Sequence, residues 1–554
     1  MDLEDKVISL IKDAVRNLDS SIKEEEIPPI YLEIPKEKQH GDLATNIAMK
    51  LASKFRASPQ ELAMKIRGAM NQGLKGASLD RKIEKIEVKG PGFINLFLSS
   101  DSLHDVLSEI DEKKSKFGQS NKGEGKKINI EFVSANPTGP LSIAHGRQAA
   151  IGDSLANILE FTGHSVVKEY YINDEGNQIR ILGESLKARV LELLGQRGVE
   201  FPGDGYKGDY VLDIAREVIK KFGDKAQQKT LYFFSAYATR SILKMIKMDL
   251  KDFGVRFDKW FSQKRLDSKG EIEKTLGLLK ERDFIYEKDG ALWFKSTIFG
   301  DDKDRVVVKS TGEFTYIAPD IAYHKDKLNR GFDNLIDIWG PDHHGYIPRL
   351  KASIQALGYS KDTLSVLIIQ LATLYRDGKP IPMSTRAGEF ITLKEVMEEV
   401  GKDASRFFFL MRKRDSHLDF DLELAKKESP ENPVYYIQYA YARISSILKF
   451  EKEKKGKKVR VNLSLLNTPE EIEIIKILRK FPEIITICVD ELEPYRITLY
   501  LQELAGAFHG FYNKHRVVSD DLHLSSARLV LVECVQIILG NGLRLLGVST
   551  PEEM

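Results

Sequence analysis

The sequence predicts an α/β fold in which a doubly wound, Rossmann-like parallel sheet follows a small α+β domain and precedes an α-helical bundle. A β-rich run at 128–134, a helix that ends near Gly163 and a second strand at 164–172 form a βαβ unit, which is how such a sheet begins. Apolar strands resume later in the chain, and regular capped helices follow from about 430.

Changes of composition along the chain predict where the domains meet. A capping box at Ser58 and two strands across a Gly-Pro-Gly turn indicate the first domain, and a Gly- and Lys-rich stretch follows it. Helical, charged segments then interrupt the sheet pattern, which suggests an insertion or peripheral layer. The predicted organisation is an α+β domain (1–111), a linker (112–126), the sheet domain (127–429) with an insertion near 180–300, and a helical bundle (430–554).

The composition excludes several classes of protein. Of the 554 residues, 42% are hydrophobic and 30% charged, with a net charge of +2, so any nucleic-acid surface must be a local patch on a globular protein. Cys488 and Cys534 lie in apolar helical patterns, which predicts buried thiols, and no Cys/His cluster has zinc spacing, so no structural metal is expected. Without a signal-peptide pattern or an apolar run of roughly 20 residues, we expect a cytoplasmic protein with no membrane partner.

The loop at 131–150 is the first candidate site. It lies between the carboxyl end of the first strand and the amino end of the next helix, where doubly wound folds bind ligands. Pro137 and Gly139 shape a rigid turn, and His145 and Gly146 lie near the helix start. An imidazole beside a helix amino end suits a polyphosphate, because backbone N–H groups and the helix dipole meet the anion. No Walker-type loop occurs, so ATP would need another architecture.

A helix cap or a packing role is the plainer interpretation of His145. For an isolated histidine that interpretation would be preferred. Here it must also explain the strand, the rigid turn and the neighbouring Arg147, so we treat the loop as a hypothesis for a nucleotide site.

This loop resembles the first signature of the class I aminoacyl-tRNA synthetases, a His-Ile-Gly-His motif. Its neighbours resemble the arginyl branch, in which the signature follows a strand that ends in Glu-Phe-x-Ser-x-Asn-Pro; the run EYYINDEGNQI at 169–179 is also similar to that branch. Ser142 stands where the family has the first His and Ala144 where it has Gly, while His145 is retained. The resemblance implies catalytic roles for Ser142 and His145. It assigns ATP contacts to Pro137, Gly139, Ala144, His145 and Gly146.

The resemblance also implies an arginine pocket. A guanidinium group is a planar fork of five donors, which carboxylates and other acceptors match. Asp320 is the main expected guanidinium partner, and the strand end is expected to hold the amino-acid end of the substrate. The residues assigned to arginine are Glu131, Ser134 and Asn136 at the strand end, Tyr316 and Asp320 in the segment 312–323, and Asp342 and His343 in the segment 339–352.

A second phosphate loop is expected at 378–393. It resembles the Lys-Met-Ser-Lys-Ser signature: Met383 and Ser384 match it, Thr385 replaces the second lysine, and Arg386 follows. A cation is needed there to offset the charge of the leaving pyrophosphate, and Arg386 and Lys379 are the candidates. The resemblance assigns ATP contacts to Met383, Ser384, Thr385 and Arg386, with Ser384 and Arg386 also catalytic.

Both ends of the chain resemble parts of the family that contact tRNA. The run at 38–52 is similar to its N-terminal add-on domain, and the runs at 432–448 and 542–554 are similar to its helical anticodon-binding domain. Aromatic faces stack on splayed bases and arginine neutralises phosphate. The expected tRNA contacts are Tyr435, Tyr439, Arg443 and Arg516. At least half of the four tyrosines at 435, 436, 439 and 441 are expected to pack within the bundle instead.

The implied reaction joins L-arginine to tRNA(Arg). ATP, with Mg²⁺, would activate arginine as arginyl-adenylate, and a monomeric enzyme would pass it to the terminal ribose; bound tRNA is expected to be required for the first step. Three alternatives stay open: a class I synthetase for another amino acid, a non-catalytic RNA-binding paralogue, and an unrelated nucleotidyltransferase. The acidic segment at 313–320 argues against an apolar amino acid, and Ser142 and Ala144 are the best support for the paralogue.

Overall fold

The computed structural model describes residues 3–35, 37–74, 79–381, 391–453 and 459–554. It confirms the predicted fold class: a five-stranded parallel sheet lies between an N-terminal antiparallel unit and a C-terminal helical bundle. One cluster of buried apolar side chains runs through all three parts, and a second lies beside the later half of the sheet.

The N-terminal unit packs helices on a small antiparallel sheet. Its elements are α1 (Leu3–Leu18), β1 (Leu43–Thr45), α2 (Ile47–Leu51), α3 (Pro59–Gly73), β2 (Ile83–Lys89), β3 (Phe93–Leu98) and α4 (Ser100–Lys113). The strand order is β1-β3-β2. Helix α3 begins where the sequence predicts, because the Ser58 hydroxyl accepts the Glu61 backbone N–H and Pro59 needs no such partner.

The parallel sheet has the strand order β11-β10-β4-β5-β6, and every neighbouring pair is parallel. Its elements and their helices are β4 (Lys127–Glu131), α5 (Ile143–Phe161), β5 (Ser165–Ile172), α6 (Asn177–Leu193), α7 (Asp209–Phe222), α8 (Leu231–Asp252), β6 (Lys259–Ser262), α9 (Lys264–Ser268), α10 (Glu271–Glu281), β7 (Ile285–Lys288), β8 (Ala291–Phe294), β9 (Arg305–Val308), α11 (Ile317–Asn329), β10 (Asn334–Trp339), α12 (Ile347–Ala356) and β11 (Leu364–Ile368). The chain proceeds from β4 towards β6 on one side and later adds β10 and β11 on the other. The crevice at the carboxyl ends of β4 and β10 is therefore a topological switch point, where open sheets bind ligands.

Strand β6 lies inside the range that the sequence predicts to be an insertion, 180–300. Helices α6, α7 and α8 do form a layer of their own, but the chain then returns to the sheet and pairs β6 with β5. The prediction is wrong for this strand. Its four residues follow a charged helical stretch and are too few to show a strand period.

The chain leaves the parallel sheet through a small three-stranded sheet and enters the bundle. The elements are β12 (Ala372–Arg376), β13 (Lys379–Pro380), α13 (Leu393–Val400), α14 (Lys402–Leu410), β14 (Leu418–Asp421) and α15 (Leu422–Lys426), then α16 (Pro433–Glu453), α17 (Pro469–Arg479), α18 (Phe481–Glu491), α19 (Tyr495–Lys514) and α20 (Leu522–Leu545). The strands of the small sheet have the order β13-β12-β14. Thr468 and Glu471 cap each other at the start of α17, which is the capping box read from the sequence.

The N-terminal unit and the bundle touch directly. Helix α4 packs against α17 and α20, the His104 ring lies 3.0 Å from the Leu466 carbonyl oxygen, and Lys476 pairs with Asp42 at 2.7 Å. The stretch predicted as a linker follows α4 and also packs on the bundle: Phe117 is buried, and the Asn541 side chain donates to its carbonyl. This segment therefore fixes the two parts to each other.

Arg406 joins three distant segments inside the protein. Its fully buried guanidinium donates to the Leu546 carbonyl at 2.9 Å, to the Phe253 carbonyl at 3.2 Å and to Asp153 at 2.7 Å. Asp153 lies on α5, and Leu546 directly follows α20. The first helix of the sheet domain is thus bonded to the end of the helical bundle.

Helix α20 is long and apolar enough to cross a membrane by length and composition, contrary to the expectation that no segment would be. Half of its most apolar stretch is buried inside the protein. It packs against α4, α16 and α19. These contacts account for its composition as a central helix of the bundle.

Candidate active site

Most of the predicted site residues within the described part of the chain surround one cavity. It measures about 770 Å³ and opens at the carboxyl ends of β4 and β10. The predicted residues that line it are Glu131, Ser134, Asn136, Ser142, Ala144, His145, Tyr316, Asp320, Asp342 and His343. Pro137, Gly139 and Gly146 are not among its lining residues. The sheet thus brings together side chains from three separate segments.

The turn after β4 directs side chains into this cavity. Val133 and Ser134 adopt positive φ angles of 68° and 37°, a conformation that costs non-glycine residues energy and is typical of functional sites. The Ser134 hydroxyl donates to Glu131 Oε1 at 3.0 Å and accepts the Tyr171 backbone N–H. The Asn136 amide donates to Gln178 at 2.8 Å. These bonds fix the orientation of the predicted amino-acid-binding side chains.

His145 is the third residue of α5, and its tautomer follows from its neighbours. The Ser142 backbone N–H donates to His145 Nδ1 at 3.1 Å, so Nδ1 accepts and the proton of the neutral ring is on Nε2. Burial lowers the pKa of the imidazole to about 4. At neutral pH the ring is therefore an uncharged donor at the amino end of a helix, which suits an anion that gains charge during a reaction.

We expect the His145 ring to stay neutral, with its proton on Nε2, from pH 8 down to about pH 5. Long-range ¹H–¹⁵N spectra of histidine-labelled protein, assigned with a His145→Gln variant, would show this. Because the folded pKa of about 4 lies below the ordinary 6.5, the unfolded chain protonates first, and the stability that this ring contributes is lost as pH falls from 6.5 towards 4. Titration near pH 6.5 would contradict the structure.

Arg147 and Gly146 serve packing. The Arg147 guanidinium is fully buried and donates to the carbonyls of Gln370 and Lys413 at 2.7 and 2.9 Å, and it does not line the cavity. A Cβ on Gly146 would lie 2.7 Å from Leu393 Cδ1, so this position needs glycine for α5 to approach α13 closely. Gly139 instead lies beside Tyr210, whose hydroxyl donates to the Thr138 carbonyl.

A buried ionic network forms the floor of the cavity. Lys327 Nζ lies 2.6 Å from Glu131 Oε2 and 2.9 Å from Asp337 Oδ1, and His324 Nε2 lies 2.9 Å from Asp337 Oδ2. Burial raises the pKa of Glu131, against the opposing effect of Lys327. Burial would also raise the pKa of Asp337, but Lys327 and His324 together hold it below its usual value.

Asp320 faces the cavity from the first turn of α11. Tyr346 donates its hydroxyl to Asp320 Oδ2 at 2.6 Å, and no ion pair within the described ranges involves this carboxylate. Burial raises the pKa of Asp320, and the bond from Tyr346 opposes that rise. A buried carboxylate that faces a cavity and has no cationic partner of its own suits a cationic ligand.

The remaining predicted residues lie at the rim. Tyr316 is 85% exposed, and the side chains of Asp342 and His343, 3.5 Å apart, are largely exposed as well. Arg349 also lines the cavity and stacks on Tyr346. The rim therefore has both signs of charge, whereas the floor is a compensated network beside one free carboxylate.

The second signature lies outside the described residues, since Met383, Ser384, Thr385 and Arg386 fall within 382–390. The residues that directly follow this range are described, however. The Leu393 backbone N–H donates to the Leu141 carbonyl at 2.8 Å, and Thr392 bridges to Ser142. Lys379, its other cation candidate, is exposed in β13 and does not line the cavity. The loop thus ends beside the first signature.

A second, larger cavity of about 1380 Å³ lies on the helical bundle. Three of the predicted tRNA contacts, Tyr439, Arg443 and Arg516, line it, whereas the fourth, Tyr435, faces a neighbouring groove. The Arg443 guanidinium carbon lies 4.8 Å from the Tyr439 ring centre and 4.6 Å from that of Tyr512. Stacked aromatic and guanidinium planes of this kind suit nucleobases.

Two of the four tyrosines at 435, 436, 439 and 441 pack within the bundle, which agrees with the expectation of at least half. Tyr436 packs on His509 with ring centres 4.4 Å apart, and Tyr441 lies against Gly540. Both contacts are inside the bundle.

Sequence reasoning missed four residues of the cavity network, namely His324, Lys327, Asp337 and Tyr346. One signal was present: Asp337 is a charged residue in the middle of an otherwise apolar strand, and such a residue is seldom buried unless it is paired. Lys327 follows Asp320 on the same helix, but nothing in its spacing identifies its partner on β4.

Comparison with known proteins gives three family matches, which follow the same order along the chain as the N-terminal unit, the parallel sheet and the helical bundle. The family model described as "Arginyl tRNA synthetase N terminal domain" matches residues 5–98, "tRNA synthetases class I (R), catalytic domain" matches 106–417, and "DALR anticodon binding domain" matches 437–554. A protein named arginine–tRNA ligase from Geobacter sp. (strain M21) is 51% identical over 543 residues, 97% of each chain. One of the same name from Citrifermentans bemidjiense is 50% identical, again over 97% of each.

The solved structure of Thermus thermophilus arginyl-tRNA synthetase shares the fold, with a TM-score of 0.77 over the full length of both chains at 21% identity. The parallel sheet, its cavity at the switch point and the helical bundle together define a class I aminoacyl-tRNA synthetase architecture. The three family-model matches and the two relatives narrow this class to one family. The chain belongs to the arginyl-tRNA synthetase family.

Proposed function

We propose that the protein is an arginine–tRNA ligase, which uses ATP to activate L-arginine and transfers it to tRNA(Arg). The observation that carries this proposal is the position of Asp320, a buried carboxylate that has no ion pair within the described ranges. It lines the same cavity as His145, which lies at the amino end of α5. One group suits a guanidinium and the other suits a polyphosphate.

The residues of the strand end orient the amino acid. Glu131 is held by Ser134 on one oxygen and Lys327 on the other, so its position does not depend on the substrate. Asn136 is held by Gln178. Such fixed acceptors would bind the α-ammonium group of the substrate and so hold its carboxylate near the nucleotide. Positioning of this kind supplies much of the rate of a displacement reaction.

The chemistry proceeds in two displacements. An oxygen of the arginine carboxylate attacks the α-phosphorus of ATP, the bond from that phosphorus to the bridging oxygen breaks, and pyrophosphate leaves. A ribose hydroxyl of tRNA then attacks the acyl carbon of arginyl-adenylate, and AMP leaves. The neutral His145 donates from Nε2 to phosphate oxygens as their charge rises, together with the first backbone N–H groups of α5.

The decisive test is aminoacylation of a total tRNA pool with labelled arginine, alongside a panel of other amino acids in ATP–pyrophosphate exchange. We expect arginine alone to be charged. Exchange with a different amino acid would favour another class I synthetase, and tRNA binding without any adenylate would favour the paralogue. Running exchange with and without tRNA tests whether tRNA is required, and equal rates would reject that requirement.

The cavity on the bundle supports binding of the tRNA anticodon stem-loop. Arg516 is exposed there, with no side-chain hydrogen bond or ion pair within the described ranges. We expect Arg516→Ala to weaken tRNA binding and to reduce the slope of log Kd against log salt concentration by about one, because one phosphate contact is lost. Fluorescence titration with labelled tRNA at several salt concentrations measures both.

Arg216→Ala is the matched control for that experiment. Arg216 is also exposed, but it lies on α7 and pairs with Asp213, and it does not line the cavity. If both variants bind tRNA like the parent protein, the assignment of this cavity to tRNA is wrong.

Mg²⁺ would accompany the ATP phosphates as part of the substrate complex. We also propose that the protein works in the cytoplasm as a monomer without a structural metal. Cys488 and Cys534 are both free and buried, which suits a reducing compartment.

A further inference from the structure

We propose that Lys327 is a positioning residue for arginine recognition, because it keeps Glu131 in place as an acceptor on the cavity floor and leaves that floor with one uncompensated carboxylate. This inference rests on the proposed function and adds a residue to its arginine pocket. Lys327 lies behind the floor and does not line the cavity.

The ammonium group of Lys327 is enclosed on every side. Its side chain is fully buried, it bonds to Glu131 and Asp337, and it lies 4.5 Å from the ring centre of Tyr323. Glu169 of β5 lies farther off and is already paired with Arg330. The charge of Lys327 is therefore shared between two carboxylates, Glu131 and Asp337, both of which line the cavity.

His324 is the second partner of Asp337 in the network. Its Nδ1 lies 2.8 Å from the Asp320 carbonyl oxygen and its Nε2 lies 2.9 Å from Asp337 Oδ2. Asp337 is thus held from two sides, by Lys327 and by His324, whereas Lys327 is the cationic partner of Glu131.

Asp320 is the carboxylate left over. Within the described ranges it has no ion pair, so the floor presents one unpaired carboxylate to a ligand, which matches one guanidinium. Other groups that face it are Tyr171, Tyr346 and Arg349 on the cavity side. Asp342 and His343 lie at the exposed rim.

A merely structural role would not require a lysine here. Apolar side chains of similar volume replace many buried ion pairs without loss of stability. Without the ammonium group, however, Glu131 and Asp337 would be two buried carboxylates sharing one site, and one of them would take up a proton. Glu131 would then lose its acceptor character at the position where the substrate binds.

The first experiment compares Lys327→Met with Lys327→Arg in the full-length protein. We expect Lys327→Met to raise the KM for arginine about 100-fold, because removing one partner of a buried pair leaves the other uncompensated. The KM for ATP should change less than about threefold, and Lys327→Arg should recover most of the loss. The arginine KM of Lys327→Met should fall as pH rises from 6 to 9, while that of the parent protein stays flat.

Lys168→Met is the matched control, since Lys168 forms a mostly buried pair with Asp153 at 2.9 Å outside the cavity. It should leave the arginine KM unchanged. The proposal fails if Lys327→Met folds and keeps the parent KM for arginine. It also fails if the KM values for arginine and ATP rise together without pH dependence.

If Lys327→Met does not fold, the double variant Lys327→Met with Glu131→Gln removes the uncompensated charge. Because Lys327 acts through Glu131, the double variant should have the arginine KM of Glu131→Gln alone. A further rise of more than about tenfold would overturn the proposal. Absence of arginine charging by the parent protein would instead refute the proposed function, so the two failures are distinguishable.

Discussion

Replacement of Asp320 by Asn should raise the KM for arginine by about two to three orders of magnitude while the KM for ATP changes little. The amide keeps the shape of the side chain and can still accept the Tyr346 hydroxyl, which now lies 2.6 Å away. What disappears is the negative charge, and a guanidinium in a buried site loses most of its binding energy when its counter-charge is removed. Steady-state aminoacylation at varied arginine and ATP measures both constants.

Asp342→Asn is the control for this change. Asp342 lines the same cavity, but its side chain is 78% exposed at the rim, so water screens its charge. We expect its effect on the KM for arginine to be less than about fivefold. Equal effects of the two variants would mean that Asp320 is not the guanidinium partner.

Replacement of His145 by Ala should lower kcat by about 100- to 1000-fold and leave both KM values nearly unchanged. The donor at Nε2 is neutral and is fixed by Ser142, so it gains strength only when charge develops on the phosphates. Loss of an interaction that is made mainly in the transition state lowers kcat rather than affinity. Single-turnover adenylate formation isolates this step.

His343→Ala provides the comparison, since His343 is an exposed imidazole at the rim of the same cavity. Its kcat should stay within about threefold of the parent value. A normal kcat for His145→Ala would show that the ring only caps α5, which is the plainer interpretation considered for it at the outset.

The sequence predicted those features that depend on local chemistry. The βαβ unit was readable because hydrophobic period, turn residues and helix start occur within one short stretch, and Glu131, Ser134 and His145 follow from that stretch together with the family resemblance. Parallel strands then carry them to one edge of the sheet. Asp320 reached the same cavity because its own segment opens α11 beside β10.

Features that depend on distant pairing were not predictable. Lys327 bonds to Glu131 across 196 positions, and nothing near Lys327 in the sequence marks it as buried. The structural role of Arg147 was not readable for the same reason, since its partners are backbone carbonyls 223 and 266 positions away. Both cations meet their partners only after the tertiary structure has formed.

The buried guanidinium of Arg406 has a consequence for the order in which the protein matures on the ribosome. Arg406 and Ser154 of the sheet domain both bond to the carbonyl of Leu546, which is synthesised 140 and 392 positions later, respectively. Until that stretch has left the exit tunnel, Arg406 lacks one of its acceptors and the helix that carries His145 lacks one of its anchors. The sheet domain therefore gains these two bonds only after the segment around Leu546 has been made and has docked.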